Sequence, residues 1–202
     1  LDTDASRAHT MAQIRRSETS GAERVLANHC LGTAASALEL WDDARSAFAA
    51  ARAETPEDET RARARFAALA GAAALAGGDA AGAADLLALA EADARTAGAA
   101  QIEAIAATDR ARALVSLQRG EEALAALDTA TLRAPERSEG WLLKATLLRR
   151  LDRLDEAQAA IEKAVALAPG ADGLGPEIGL EAGLIAALAG RDEAARASWL
   201  SV

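Results

Sequence analysis

The stretch Ser138–Pro169, SEGWLLKATLLRRLDRLDEAQAAIEKAVALAP, decides the fold. Pro135 stands about 34 residues before Pro169, and the residues between them repeat an order of small and large side chains that the preceding stretch already carries. With Ser138 as position 1, Trp141 is position 4, Lys144 is 7, Ala145 is 8, Leu148 is 11, Ala157 is 20, Ile161 is 24, Ala164 is 27 and Pro169 is 32. Counted from Ala104, the same slots hold Ala107, Arg110, Ala111, Leu114, Ala123, Leu127, Ala130 and Pro135. A period of that length marks stacked supersecondary units.

Packing explains the slots. Two antiparallel helices of about three to four turns approach closely only where the residues at their crossing are small, which positions 8, 20 and 27 supply. Large residues at 4, 7, 11 and 24 fill the space around the contact. The first helix ends near Leu151, and LDRLDEA supplies the turn and then the acidic start of the second helix, with Asp155 and Glu156 at the positive end of its dipole. Pro169 is expected to close the unit.

The same order recurs upstream. A unit from Val25 carries Leu31 and Gly32 at positions 7 and 8, then Ala44, Phe48, Ala51 and Pro56. Another from near Ala64 has Ala70, Gly71, Ala83, Leu87 and Ala90, and a last one near Pro176 offers Gly183, Ala195 and Trp199. The joins are irregular. TPEDE reads as a helix start, with Thr55 as N-cap and Pro56 at the first helical position, which makes the next helix about a turn longer than standard. GAAQIE lengthens the join before the third unit, and GADGLG makes a loop before the last.

Composition agrees with an all-α chain. Of the 202 residues 51% are hydrophobic but only 2% are aromatic, so the apolar mass is Ala and Leu, which favour helix over strand. Charged residues interrupt every apolar run well short of the roughly 20 residues a membrane helix needs. A net charge of −9 argues against a nucleic-acid backbone as partner. The single cysteine, Cys30, excludes an internal disulfide. The chain begins at Leu1 without Met and reads as a processed form or part of a longer protein.

The spaced pattern of Trp141, Lys144, Ala145 and Leu148, followed by Ala157, Ile161, Ala164 and Pro169, resembles the tetratricopeptide repeat (TPR) family, and the resemblance extends from about Val25 to the end. It implies a right-handed superhelical array of antiparallel helix pairs, an α-α solenoid. The expected organisation is an N-terminal helical segment over 1–24 and an array over 25–202, with units near 25–58, 64–97, 104–137, 138–171 and 176–202. SRAHTMAQIRRSE in the first segment is amphipathic and is expected to cap the array or belong to a preceding unit.

Little in the sequence supports catalysis. His29 and Cys30 are adjacent, but neighbours on a helix point about 100° apart, so the favoured reading is a groove-side histidine beside a packed thiol. No His or Cys spacing fits a zinc site, GADGLGP lacks the lysine and strand of a phosphate loop, and no cofactor is expected. The cations at Arg133, Arg137, Lys144, Arg149, Arg150 and Arg153 suit an anion patch, yet helix C-termini favour cations for local reasons. The chain reads as a binding protein rather than an enzyme.

In the family that the sequence resembles, the first helix of each unit lines a concave face that holds a partner peptide. Carried onto this sequence, the facing residues are His29, Thr33 and Ser36, with Leu26 and Cys30 beside them; Arg65, Leu69 and Ala72; Thr108, Asp109 and Arg112, with Ile105; and Glu139, Leu142, Leu143, Thr146 and Arg149. The Lys and Asn pattern with which one subgroup grips chaperone C-termini is absent from these slots. The resemblance therefore implies a scaffold or adaptor that binds a protein or peptide by an extended segment or amphipathic helix. Alternatives are an accessory interaction domain of a larger enzyme or membrane-assembly factor, and self-association through exposed array ends. The Ala, Arg, Asp and Leu-rich, Lys-poor composition looks bacterial and leans towards the periplasm.

Overall fold

The structure is a computed structural model that describes residues 2–168 and 173–200. Pro169 and the first three residues of the GADGLG loop, Gly170, Ala171 and Asp172, lie outside the described residues. Those that are described form eleven α-helices and no strand: α1 (Asp2–Glu18), α2 (Gly21–Ala37), α3 (Trp41–Glu54), α4 (Thr60–Ala76), α5 (Ala80–Thr96), α6 (Ala100–Ser116), α7 (Gly120–Arg133), α8 (Ser138–Arg150), α9 (Leu154–Leu167), α10 (Gly175–Leu188) and α11 (Asp192–Leu200). The chain divides into two compact units, Leu1–Gln118 and Arg119–Val202.

In the first unit each helix packs on the next from α1 to α6, and α4 also touches α6. Connections of a few residues make consecutive helices antiparallel. In the second, α7 packs on α8, α8 on α9, α9 on α10 and α10 on α11.

The small-residue slots lie at the crossings. Ala44, Ala51, Ala83 and Ala90 are fully buried in the first unit, as are Ala145, Ala157 and Ala164 in the second. A Cβ added at Gly32 would meet the Phe48 ring at 2.6 Å, one at Gly71 would meet Leu87 Cγ at 2.5 Å, and one at Gly183 would run into the Trp199 indole. Position 8 is therefore glycine where the residue at position 24 reaches across onto the backbone. Phe48 sits in a cluster with Ala35, Ala44, Ala70 and Ala73, so one aromatic ring joins α2, α3 and α4.

Several turns share one geometry. The amides of Leu40, Asp79, Ala99, Arg153 and Arg191 each donate back to the carbonyl five residues earlier, and the residue before each has positive φ: Glu39, Gly78, Gly98, Asp152 and Gly190. These are Schellman closures, which satisfy the last carbonyls of the preceding helix.

Three local expectations need correction. Thr55 does not cap α4. It ends α3, where its buried hydroxyl donates to Ala51 O at 2.7 Å, and α4 starts at Thr60. Pro56 disfavours helical backbone at Thr55, so the segment turns before the helix begins. Arg63 in the first turn of α4 then donates to Thr55 O at 2.9 Å. GAAQIE is likewise not a loop. Only Gly98 and Ala99 connect, and Ala100, Gln101, Ile102 and Glu103 form the first turn of α6, where Glu103 is buried against Arg95 at 3.0 Å. Finally, Cys30 is exposed rather than packed.

The N-terminal segment is a helix that packs on the first unit. Ala12 of α1 buries against Leu31 of α2 and Ala47 of α3, and Arg15 pairs with Glu23 at 2.9 Å. Met11, Ile14, Leu26 and Cys30 line an open groove between α1 and α2 of about 580 Å3, which α1 borders without filling.

Candidate interaction face

In each unit the candidate residues stand on the first helices of the helix pairs, α2, α4 and α6 in one and α8 in the other. The helical period places residues four apart on one face.

On α2, His29 is half-buried, with its ring edge-on to Phe66 at 5.5 Å and tilted against Phe48 at 6.2 Å. Burial, assisted by the nearby Arg65 charge, pushes its pKa below the ordinary 6.5. The hydroxyls of Thr33 and Ser36 both donate to the carbonyl four residues back, His29 O and Gly32 O, at 2.9 Å. They are thereby committed to their own helix, although Thr33 is exposed. On α4, Arg65 and Ala72 are exposed while Leu69 packs onto the Phe48 cluster.

On α6, Thr108 departs from the expectation: it is only 4% exposed and its hydroxyl donates to Ala104 O at 2.8 Å. It packs rather than faces a partner. Asp109 and Arg112 pair with each other across one turn, and Ile105 remains exposed beside them.

In the second unit Leu142, Leu143 and Thr146 are half-buried on α8. Glu139 pairs with Arg137 at 2.9 Å, and Arg149 reaches across to Glu181 of α10 at 2.6 Å. Other cations of the supposed anion patch are also occupied. Lys144 lies 5.5 Å from the Trp141 ring centroid and 2.7 Å from Asp128, and Arg153 pairs with Glu121 and Glu156. Most of that cluster is thus engaged in local ion pairs, while Arg150 at the end of α8 is exposed.

Sequence reasoning missed part of this face. Leu180, Leu184 and Leu188 are exposed at four-residue intervals on α10, an apolar stripe legible in IGLEAGLIAAL from its spacing alone. Arg61, one turn before Arg65 on α4, is also exposed and was passed over.

The strongest buried electrostatics lie away from this face, between α5 and α6. Arg110 Nη1 donates to both oxygens of Glu91 at 2.8 Å. Burial pushes the Glu91 carboxyl above its ordinary 4.5, with Arg110 pulling it back and Glu103 opposing. This is an arrangement that aligns two helices, with no groove beside a nucleophile. Among the described residues no group of three His, Cys, Asp or Glu side chains is placed to hold a metal ion.

Comparison with known proteins places this geometry in a class. Residues 138–170 match the family model of the tetratricopeptide repeat. Among solved structures, BtubC (BKLC) from P. vanneervenii superposes with a TM-score of 0.78 at 17% identity, over 98% of this chain and 86% of that one. MamA from Desulfovibrio magneticus RS-1 gives 0.70 at 13% identity, over 88% and 92%. The TPR-like repeats of a putative kinesin light chain from Podospora anserina give 0.70 at 16%, again over 88% and 92%. No curated protein sequence matches the chain. The chain thus carries a tetratricopeptide repeat at 138–170, within an all-helical fold shared with TPR solenoid structures. No helix among the described residues is long and apolar enough to cross a membrane.

Proposed function

We propose that this chain is a protein-interaction scaffold that binds a peptide or helix of a partner on its first-helix faces and performs no catalysis of its own. The observation that carries this reading is the aliphatic surface left open on the first helices: Leu26 and Ile105 in one unit, and the Leu180, Leu184 and Leu188 stripe in the other. Such spacing suits the i, i+4 anchors of an amphipathic helix or the alternate side chains of an extended segment. TPR folds in general act through protein partners, which agrees with this reading.

The test is a photo-crosslinking residue at Thr146 on α8, with a control at Glu162 on the outer helix α9, followed by mass spectrometry of captured proteins from the source cell. Capture from Thr146 alone is expected. Equal capture from both positions, or none from either, refutes the assignment of the working surface.

A further inference from the structure

We propose that the α4–α6 surface of the first unit recognises an acidic peptide segment bearing an aliphatic side chain. Arg61 and Arg65 would hold its carboxylates, and the cavity beside them would seat the aliphatic group. The inference rests on the interaction reading above and adds the chemistry of the partner.

The charge pattern is the first ground. The chain carries 22 Lys and Arg against 31 Asp and Glu, and in this unit its arginines are largely consumed internally. Arg24 pairs with Glu54, Arg45 with Asp79, Arg52 with Asp93, Arg95 with Glu103 and Arg110 with Glu91. Arg16 of α1 is exposed without an ion pair to any described residue, and Arg61 and Arg65 are likewise free of one. The latter two stand one turn apart on α4, both exposed. In a chain with acid to spare, two adjacent unpaired guanidinium groups on an interaction face are a complement to an external anion.

The second ground is shape. Both arginines line a cavity of about 540 Å3 whose apolar wall is made by Phe66, Ala97 and Ile102. Guanidinium is planar and binds carboxylate through paired N–H donors, which fixes direction as well as charge. A carboxylate over Arg65 would leave a neighbouring Leu or Ile side chain free to enter against Phe66 and Ile102.

Asp58 and Glu59 border the same cavity at the start of α4 and oppose any anion. They sit on the Arg61 side, so the geometry sets an orientation: the acidic residues of the peptide lie towards Arg65, a turn further from the rim. Neutralising that rim should therefore tighten binding by removing its repulsion of the peptide carboxylates.

The experiment selects a phage-displayed random dodecapeptide library on the whole chain. Affinities of the enriched peptides are then measured by fluorescence anisotropy for wild type, R61E/R65E and D58N/E59Q. Expected are peptides rich in Asp or Glu with Leu or Ile, about tenfold or greater weakening in R61E/R65E, and about twofold tightening in D58N/E59Q. Both arginines are exposed, so the charge-reversed variant should keep its helical circular dichroism and melting. Should it not, R61Q/R65Q takes its place with the same direction of effect. Enrichment of basic or uncharged peptides, or of none, overturns the proposal. Acidic peptides that bind R61E/R65E as well as wild type would also overturn it while leaving the interaction reading intact. A concentration-dependent dimer in sedimentation that the arginine variants abolish would assign the face to a second copy and overturn it too.

Discussion

The sharpest consequence of the packing concerns Gly32, where the smallest residue meets a large ring. In G32A the new Cβ would lie 2.6, 2.7 and 2.8 Å from Phe48 Cε1, Cδ1 and Cζ. Carbon atoms in contact normally stand about 3.5–4.0 Å apart, so the ring would have to retreat by roughly 1 Å. It has nowhere to go, because Phe48 is 3% exposed and enclosed by Ala35, Ala44, Ala70 and Ala73. Overpacking of this kind costs about 1–3 kcal/mol. Replacing a mid-helix glycine by alanine returns about 1 kcal/mol of propensity. The net expectation is a loss of up to about 2 kcal/mol, read as a lower urea midpoint at unchanged m in circular dichroism. The companion variant F48L costs on the order of 1 kcal/mol alone through the space it opens. Combined with G32A it relieves the clash, so the double variant should be more stable than the sum of the singles by about 1 kcal/mol. If G32A is stabilising, or if the two changes simply add, the account of position 8 as the receiving slot for position 24 is wrong.

Other perturbations follow from the same geometry. R110Q strands Glu91, which is buried, and should cost about 2–4 kcal/mol at pH 7, the lower end reflecting the partial exposure of Arg110. Because burial raises the Glu91 pKa in the fold, its charged form is the unfavourable one. The penalty should therefore be largest at neutral pH, shrink as pH falls through the raised folded value and be gone below the ordinary 4.5, which paired urea melts at pH 4 and 7 would reveal. His29 has the opposite sense. Its pKa is lowered in the fold, so its contribution is fully present above 6.5 and is lost as pH falls from there through the lower folded value. H29Q should flatten the change in melting temperature between pH 7 and 5, and an unchanged slope in H29Q would remove His29 as its source. D152G should stabilise by about 0.5–1 kcal/mol, since Asp152 holds φ 60 in a Schellman turn where glycine carries no Cβ penalty; a loss in thermal melting would show that the side chain matters there.

The all-helical fold and its crossings were legible because a small residue at a helix contact leaves a periodic mark. Gly32 against Phe48, Gly71 against Leu87 and the buried Ala145, Ala157 and Ala164 are read directly from their spacing. Helix starts were less legible, since two rules compete at TPEDE. The acidic run favours the positive end of a helix, but the proline also bends the residue before it out of helical backbone, and at Thr55 the second effect wins. At GAAQIE no breaker follows Gly98, so the helix begins as soon as the chain has turned. The face was legible only to the level of helix and position. Spacing assigned Thr108 to it, but spacing carries no information about the helix beyond, and burial there closes the side chain off.

The same limit bears on what the face can do. A hydroxyl on a helix counts as a hydrogen-bonding group in sequence, yet Thr33, Ser36 and Thr108 each spend theirs on the carbonyl four residues back. The charged groups divide similarly: Asp109 with Arg112, Glu139 with Arg137 and Arg149 with Glu181 are already matched. Matched pairs hold the helices in register but offer a partner little net attraction, because displacing one partner costs what the newcomer gains. On the proposed reading, affinity comes from groups left unmatched, among them the exposed aliphatics, Arg150 on α8 and the two arginines on α4. A scan replacing Thr33, Thr108, Arg149 and Arg65 singly by alanine should accordingly weaken partner binding most at Arg65, with Thr108 acting through stability alone. Loss at Thr33 equal to that at Arg65, in binding measured on folded protein, would show that the internal hydrogen bonds give way to the partner and that the division into matched and unmatched groups fails.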